Sequence, residues 1–242
     1  MPRLLEIREP AALNGLRARA GLPAFDPGDL LRHAPDAHWV LLDETERIAG
    51  RCSLWWRHPL RHAGHRLGLI GHYAADGAQA GRQLLACACE QLAAGGCTLA
   101  VGPMDGNTWR SYRFITAGNA EPPFFLEPAN PPEWPRQFVE YGFKPLARYA
   151  SALDDRLDQE DDAQARRAAL RMTDLGVTLN PLEPAHLEEE LKAIYRVAAA
   201  GFRGGFLYQP IPEAEFVAQY LQVRPYVRPE LVMIARHEDR PV

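Results

Sequence analysis

Leu67-Gly68-Leu69-Ile70-Gly71-His72-Tyr73-Ala74-Ala75-Asp76-Gly77-Ala78-Gln79-Ala80-Gly81-Arg82-Gln83-Leu84-Leu85, closed by Gly95-Gly96 and Thr98-Leu99-Ala100-Val101, is the stretch that decides the fold. An apolar run at 67–73 predicts a buried strand. Asp76, with Gln79 three residues on, predicts an N-cap and capping box. Leu84, Leu85, Ala88 and Leu92 recur at three- and four-residue steps, which predicts a helix over 77–93 with one apolar stripe. Gly95-Gly96 stops it, and Leu99 to Val101 reads as a short central strand. Strand, crossover helix and strand within some 35 residues form a βαβ-like unit.

Upstream, Leu4 to Arg8 predicts a strand, Ala11 to Ala20 a helix, and 39–56 an antiparallel hairpin turning at Glu44-Thr45-Glu46-Arg47. Downstream, 102–132 is a long Gly- and Pro-rich loop interspersed with Trp109, Tyr112, Phe114, Phe124 and Phe125, and loops of that length in compact domains usually serve function. A short helix follows at 132–141 and a closing strand at 142–149. The charged segment 154–175 reads as a linker. Beyond it the opening order repeats: strand at 177–182, helices at 184–201 and 212–221, strand at 231–237. The expected organisation is therefore a whole domain over 1–153, the linker, and the first half of a second copy over 176–242. The fold class is α/β, with a mixed, mainly antiparallel sheet flanked by helices. Strand 231–237 then needs a partner, in the first domain or in a second chain, which would make a homodimer through the partial domain.

The composition narrows the function. The 242 residues carry 27 Lys+Arg against 31 Asp+Glu, a net charge of −4, which disfavours a nucleic-acid partner. No apolar run is long enough for a membrane span, and the charged start is unlike a signal peptide, so a cytoplasmic protein is expected. Cys87 and Cys89 lie two apart on a helix and diverge by about 200°, and the histidines lack metal spacing; no metal is expected and the thiols are expected to be reduced.

Three stretches resemble the GNAT superfamily of acyl-CoA-dependent N-acyltransferases: Leu69 to Tyr73, Asp76 to Leu85, and Leu99 to Pro103 are similar to its strand, phosphate-binding turn, helix and next strand. Glu140-Tyr141-Gly142-Phe143 resembles the Gly-Phe segment after its last helix. The tract Gly102-Pro103-Met104-Asp105-Gly106-Asn107-Thr108-Trp109 resembles a little-characterised branch with a long loop after the central strand. The resemblance implies acetyl-CoA or another acyl-CoA as co-substrate and the amine of a small metabolite as acceptor, with direct attack on the thioester. Ile70, Gly71 and His72 would align the pantetheine through their backbone. Gly77, Ala78, Gln79, Ala80, Gly81 and Arg82 would hold the diphosphate, since a helix N-terminus offers unpaired N–H groups and a positive dipole end. The chain departs from the family in two places: Gln79 replaces a glycine, and Phe138 stands where many members carry an acidic tyrosine.

Catalytic candidates are His72, Tyr73 and Tyr112, with Glu127 considered beside them. Alternation sends His72 and Tyr73 to opposite faces. Trp109, Tyr112, Phe124 and Phe125 are candidate walls of an acceptor pocket between the 102–132 loop and the connection at 22–33, with Arg110 and Arg113 flanking Tyr112. Two rivals remain: a non-catalytic acyl-CoA-binding or protein-interaction module on a degenerate scaffold, and an aminoacyl transferase drawing on transfer RNA, which the acidic charge balance disfavours.

Overall fold

The computed structural model describes residues 2–57, 60–118, 124, 126–153, 163–238 and 240–242. The chain divides into two compact units, Met1–Arg148 and Tyr149–Val242.

The first unit holds β1 (Arg3–Glu6), a 3-10 turn (Pro10–Leu13), β2 (Arg17–Ala18), α1 (Gly28–His33), β3 (Ala37–Leu42), β4 (Arg47–Trp55), β5 (Arg61–His62), β6 (His65–Ala75), α2 (Ala78–Ala94), β7 (Leu99–Val101) and α3 (Glu133–Tyr141). The strands form one sheet in the order β1-β3-β4-β6-β5, with β2 added to β4 and β7 to β6. Every pairing is antiparallel except β2–β4 and β6–β7. This is the mixed, mainly antiparallel sheet flanked by helices that the sequence predicts.

The α2 stripe is the reason for the packing. Leu84, Leu85, Ala88 and Leu92 are fully buried against Leu41, Cys52, Leu54, Ile70 and Ala74 on one sheet face, together with Trp134 and Phe138 of α3. The other face gathers Val40, Leu42 and Ile48 under Ile7, Leu13, Leu22, Phe25 and Leu30. Burial of two opposite faces accounts for the near-continuous apolar reading of β3, β4 and β6.

Three local expectations change. The stretch 11–20 is a single 3-10 turn followed by β2: Pro10 starts the turn, Gly15 weakens any continuation, and Arg17–Ala18 finds a parallel partner in Arg47–Ile48. Asp76 makes no cap; Gly77 occupies the N-cap with φ 88°, and the Asp76 carboxylate takes Arg19 Nη1 at 3.0 Å instead. No strand closes the unit at 142–149: Gly142 ends α3 in a left-handed turn, and the Phe143 N–H returns to the Phe138 carbonyl at 3.0 Å.

The second unit contains α4 (Ala163–Asp174), β8 (Val177–Pro181), α5 (Leu187–Gly201), α6 (Glu213–Leu221), β9 (Met233–His237) and β10 (Arg240–Pro241). Its antiparallel sheet runs β10-β9-β8. The 231–237 strand thus has partners on both sides within its own unit, where the sequence reading sought one elsewhere. The first part of the predicted linker, 154–162, lies outside the described residues; α4 (Ala163–Asp174) takes up nearly all of the rest. Among the described residues no helix is long and apolar enough to cross a membrane, and the four cysteines form no disulfide.

Candidate functional site

The site begins with an irregularity in β6. Gly50 faces Ala75 and Arg51 faces Ala74, yet Ser53 faces Gly71, so two steps on β4 oppose three on β6. The surplus residue makes a β-bulge, and His72 within it takes a left-handed φ of 47°. That conformation is costly for a non-glycine residue and is commonest at functional sites.

The bulge turns the His72 ring onto the sheet face opposite α2, where alternation places Arg51, Ser53 and Trp55 of β4 and His38 of β3. A continuous polar chain results. His38 Nδ1 lies 2.7 Å from Ser53 Oγ, which is 2.8 Å from His72 Nδ1. His72 Nε2 lies 2.7 Å from His33 Nδ1, and His33 Nε2 faces Asp29 Oδ1 at 3.6 Å. The Ser53 hydroxyl donates to one of its two imidazole neighbours and accepts from the other, and the sense of donation along the chain follows the tautomers of the rings. All three rings are neutral. Burial pushes His38 down to about 3 and His72 down to about 2, with neighbouring basic groups adding to the shift, and burial brings His33 down to about 4.

Two segments cover this face. The connection 22–33 lays Phe25 over it: its ring stacks on His38 at 5.1 Å, and Arg51 Cζ sits 5.0 Å from its centroid. The loop after β7 arrives from the other side. Arg110 Nη1 donates to the carbonyls of Asp105 at 3.2 Å and His33 at 3.5 Å, tying loop and connection together. Trp55 Nε1 also donates to the His33 carbonyl, at 2.9 Å, and its indole meets the His72 ring edge-on. The two segments expected to border an acceptor do meet over the bulge.

Asp105 is the functional candidate that the sequence reading passed over. Its Oδ1 accepts the backbone N–H of His72 at 2.6 Å. Burial pushes its carboxyl up to about 6 against the opposing pull of that N–H, Arg110 and Arg51. Met104 N–H donates to the Ile70 carbonyl at 2.8 Å, so the outer edge of β6 past β7 is closed. Gly71 is glycine for this reason: a Cβ there would run into Asp105 Oδ1 and the Met104 carbonyl.

The expected diphosphate turn lies at the other end of β6. The first-turn N–H groups of Ala78, Gln79 and Ala80 precede the first intrahelical bond, from Gly81 N–H to the Gly77 carbonyl at 3.1 Å. The first turn carries no acidic side chain. Ala78, Gln79 and Arg82 line a cavity of about 260 Å³ with Gln137, Glu140 and Tyr141 of α3. The strand edge between bulge and turn is occupied by side chains of α3. Trp134 Nε1 donates to the Ala75 carbonyl at 3.2 Å and Gln137 Nε2 to the Gly77 carbonyl at 3.2 Å.

The remaining candidates are dispersed. Tyr73 points to the α2 side, where its hydroxyl donates to Gln137 Oε1 at 2.7 Å and burial pushes its pKa up, away from the His72 face. Tyr112 accepts from Arg113 Nη1 at 2.6 Å beneath that guanidinium. Trp109 is half-buried, and Phe124 is exposed, at 56%. Phe125 lies outside the described residues. Phe114 packs against Trp134 and Phe138 and pins the loop to the core. Among the described residues no group of three or more His, Cys, Asp or Glu is placed to hold a metal ion.

No family model and no curated protein matches the chain. Two solved structures are similar to it. One, described as a probable acetyltransferase, shares 13% identity at a TM-score of 0.34, covering 63% of this chain and 99% of its own. The other is a GCN5-related glucosamine N-acetyltransferase region in a fungal multi-domain GH3 beta-N-acetylglucosaminidase; it shares 14% identity at a TM-score of 0.40 over all of this chain, which spans 27% of that protein. Both are described as acetyltransferases, the class that the strand–turn–helix tract resembles, and likeness at this level leaves the chemistry to be read from the residues.

Proposed function

We propose that the chain transfers an acyl group, in the simplest case acetyl, from acyl-CoA to the amine of a small metabolite. The observation that carries this is the open first turn of α2, with Arg82 and Gln79 beside a cavity at the end of a bulged strand. Backbone N–H groups and a cation suit a diphosphate, and β6 runs from there to the bulge over about five residues, or roughly 16 Å, a span suited to an extended pantetheine arm once Trp134 and Gln137 leave the Ala75 and Gly77 carbonyls.

In this reading the thioester carbonyl takes the His72 N–H, an oriented donor of the oxyanion-hole kind, and displaces Asp105. The freed carboxylate accepts a proton from the acceptor amine as its nitrogen bonds to the carbonyl carbon. The C–S bond breaks, and the proton on Asp105 passes to the departing thiolate. A tyrosine at position 138 is then unnecessary. The neutral His72 ring is too weak a base for this role, and it acts by holding the bulge. Met104 and Asp105 must come off Ile70 and His72 for the thioester to enter.

That closed edge favours a second reading, an acyl-CoA-binding module without turnover. Incubating the full chain with acetyl-CoA and a broad amine panel separates the two. Amine-dependent thiol release with an N-acetyl product supports the enzyme. Acetyl-CoA binding without thiol release supports the module, and absence of both binding and release removes both readings. We also read the second unit as the opening half of a similar domain, because β8 pairs antiparallel with β9 across two helices, as β1 pairs with β3 across the 7–36 segment.

A further inference from the structure

Arg51 is a buried guanidinium without a carboxylate partner. It is 8% exposed, donates from Nη1 to the Pro23 carbonyl at 3.0 Å, and packs on the Phe25 ring. Its Nε is buried with no hydrogen-bond partner, and no carboxylate of a described residue lies within ion-pair distance of it. A buried cation is costly unless it is paired, and Asp105 acts on it only at longer range.

One strand away, His38 is 2% exposed, and its Nε2 is also buried without a partner. That nitrogen presents an N–H or a lone pair according to which ring nitrogen carries the proton. In the β3–β4 register Arg51 faces Val40 and Ser53 faces His38, so the two orphaned groups share one face, diagonal neighbours under the same aromatic ring. One is a charged donor and the other a neutral imidazole nitrogen, and both lie beside the bulge where the acceptor amine would react.

We propose that Arg51 and His38 form a subsite beneath Phe25 for a carboxylate-bearing amine. The carboxylate pairs with the Arg51 Nε–H, and a further polar group of the same molecule meets His38 Nε2. The acceptor class is thereby a small amino acid. This deepens the acyltransferase reading and rests on it for the reaction, although the binding itself does not need acyl-CoA. Phe25 covers both groups; it swings aside to admit the ligand and, once back, excludes water from the ion pair.

The probe is a panel of small amino acids, each matched with the amine that lacks its carboxylate, titrated into the full chain while the buried Arg51 Nε–H is followed by nitrogen-15 NMR. Carboxylated members are expected to shift that signal at millimolar concentration and the matched amines to leave it in place. Arg51→Met is expected to weaken carboxylate binding about 10- to 100-fold and to bring the two sets level. Arg51→Lys, which keeps a charge if Arg51→Met folds poorly, is expected to retain part of the preference. Where turnover is measurable, Arg51→Met should raise KM for the amino acid far more than it lowers kcat. A panel in which no carboxylate moves the Nε–H signal, or in which amines bind as well as their acids, overturns the subsite. Loss of the parent reading shows differently, as an absence of acetyl-CoA binding in a separate titration.

Discussion

Lowering the pH from 6.5 to 5 is expected to lower the melting temperature of the full chain by about 10 °C. Free histidine titrates at 6.5, whereas buried His38 and His72 hold out to about 3 and about 2. Their folded values are depressed, so the unfolded chain binds more protons than the native one across this window. The stability they contribute is complete above 6.5 and is lost as pH falls. Each costs about 2 kcal/mol by pH 5, and His33, held at about 4, adds in the same direction. Asp105 opposes them. Its folded value of about 6 lies above that of a free carboxyl, so protonation on the way to pH 5 stabilises by about 1 kcal/mol. Arg51 and Arg110 act on His72 and Asp105 as neighbouring positive charges. The net is a loss of about 4 kcal/mol, read by calorimetric melting at a series of pH values. His38→Gln should flatten the slope. A melting temperature that holds constant or rises toward pH 5 would show that the histidines are not buried neutral.

Replacing Asp105 with Asn is expected to reduce kcat by 10²- to 10⁴-fold while moving the melting temperature little. An amide oxygen still accepts the His72 N–H, so the bulge and its cover remain, but the amide takes no proton from the amine. In the wild type the activity should rise with pH through about 6, as Asp105 ionises, and the variant should lose that limb. Retention of wild-type kcat in Asp105→Asn, with the limb intact, would remove Asp105 as the base and return the search to other groups near the bulge.

The fold was legible in the sequence where burial sets the pattern. The Leu84-Leu85-Ala88-Leu92 stripe and the apolar runs of β3, β4, β6 and β7 each carry their periodicity locally, and the structure follows them. It was illegible where a tertiary partner outcompetes a local one. Asp76 reads as a cap because caps are local, yet Arg19, 57 residues away, takes its carboxylate. The tract at 11–20 reads as helix until its end pairs with β4.

The site divides along the same line. Arg82 and the glycine turn at the head of α2 follow from their neighbours in sequence. The His38–Ser53–His72–His33 chain draws on β3, β4, β6 and α1, and no spacing in the chain announces it. A surplus residue in β6 creates it, and bulges arise from pairing rather than composition. Asp105 had one sequence signal, a carboxylate in a Gly-Pro loop directly after the parallel strand, but its role depends on its contact with the His72 N–H.

Removing the diphosphate from the ligand tests the head of α2 directly. The measurement is a calorimetric titration of the full chain with acetyl-CoA and, in parallel, with acetyl-pantetheine, repeated on Arg82→Glu. If the Ala78–Ala80 amides and Arg82 hold the diphosphate, acetyl-CoA binds at least 100-fold more tightly than acetyl-pantetheine, and Arg82→Glu loses about 10-fold or more of that advantage, in line with charge-assisted bonds at a helix end. Equal affinities for the two ligands, or no heat from acetyl-CoA at millimolar concentration, would contradict it.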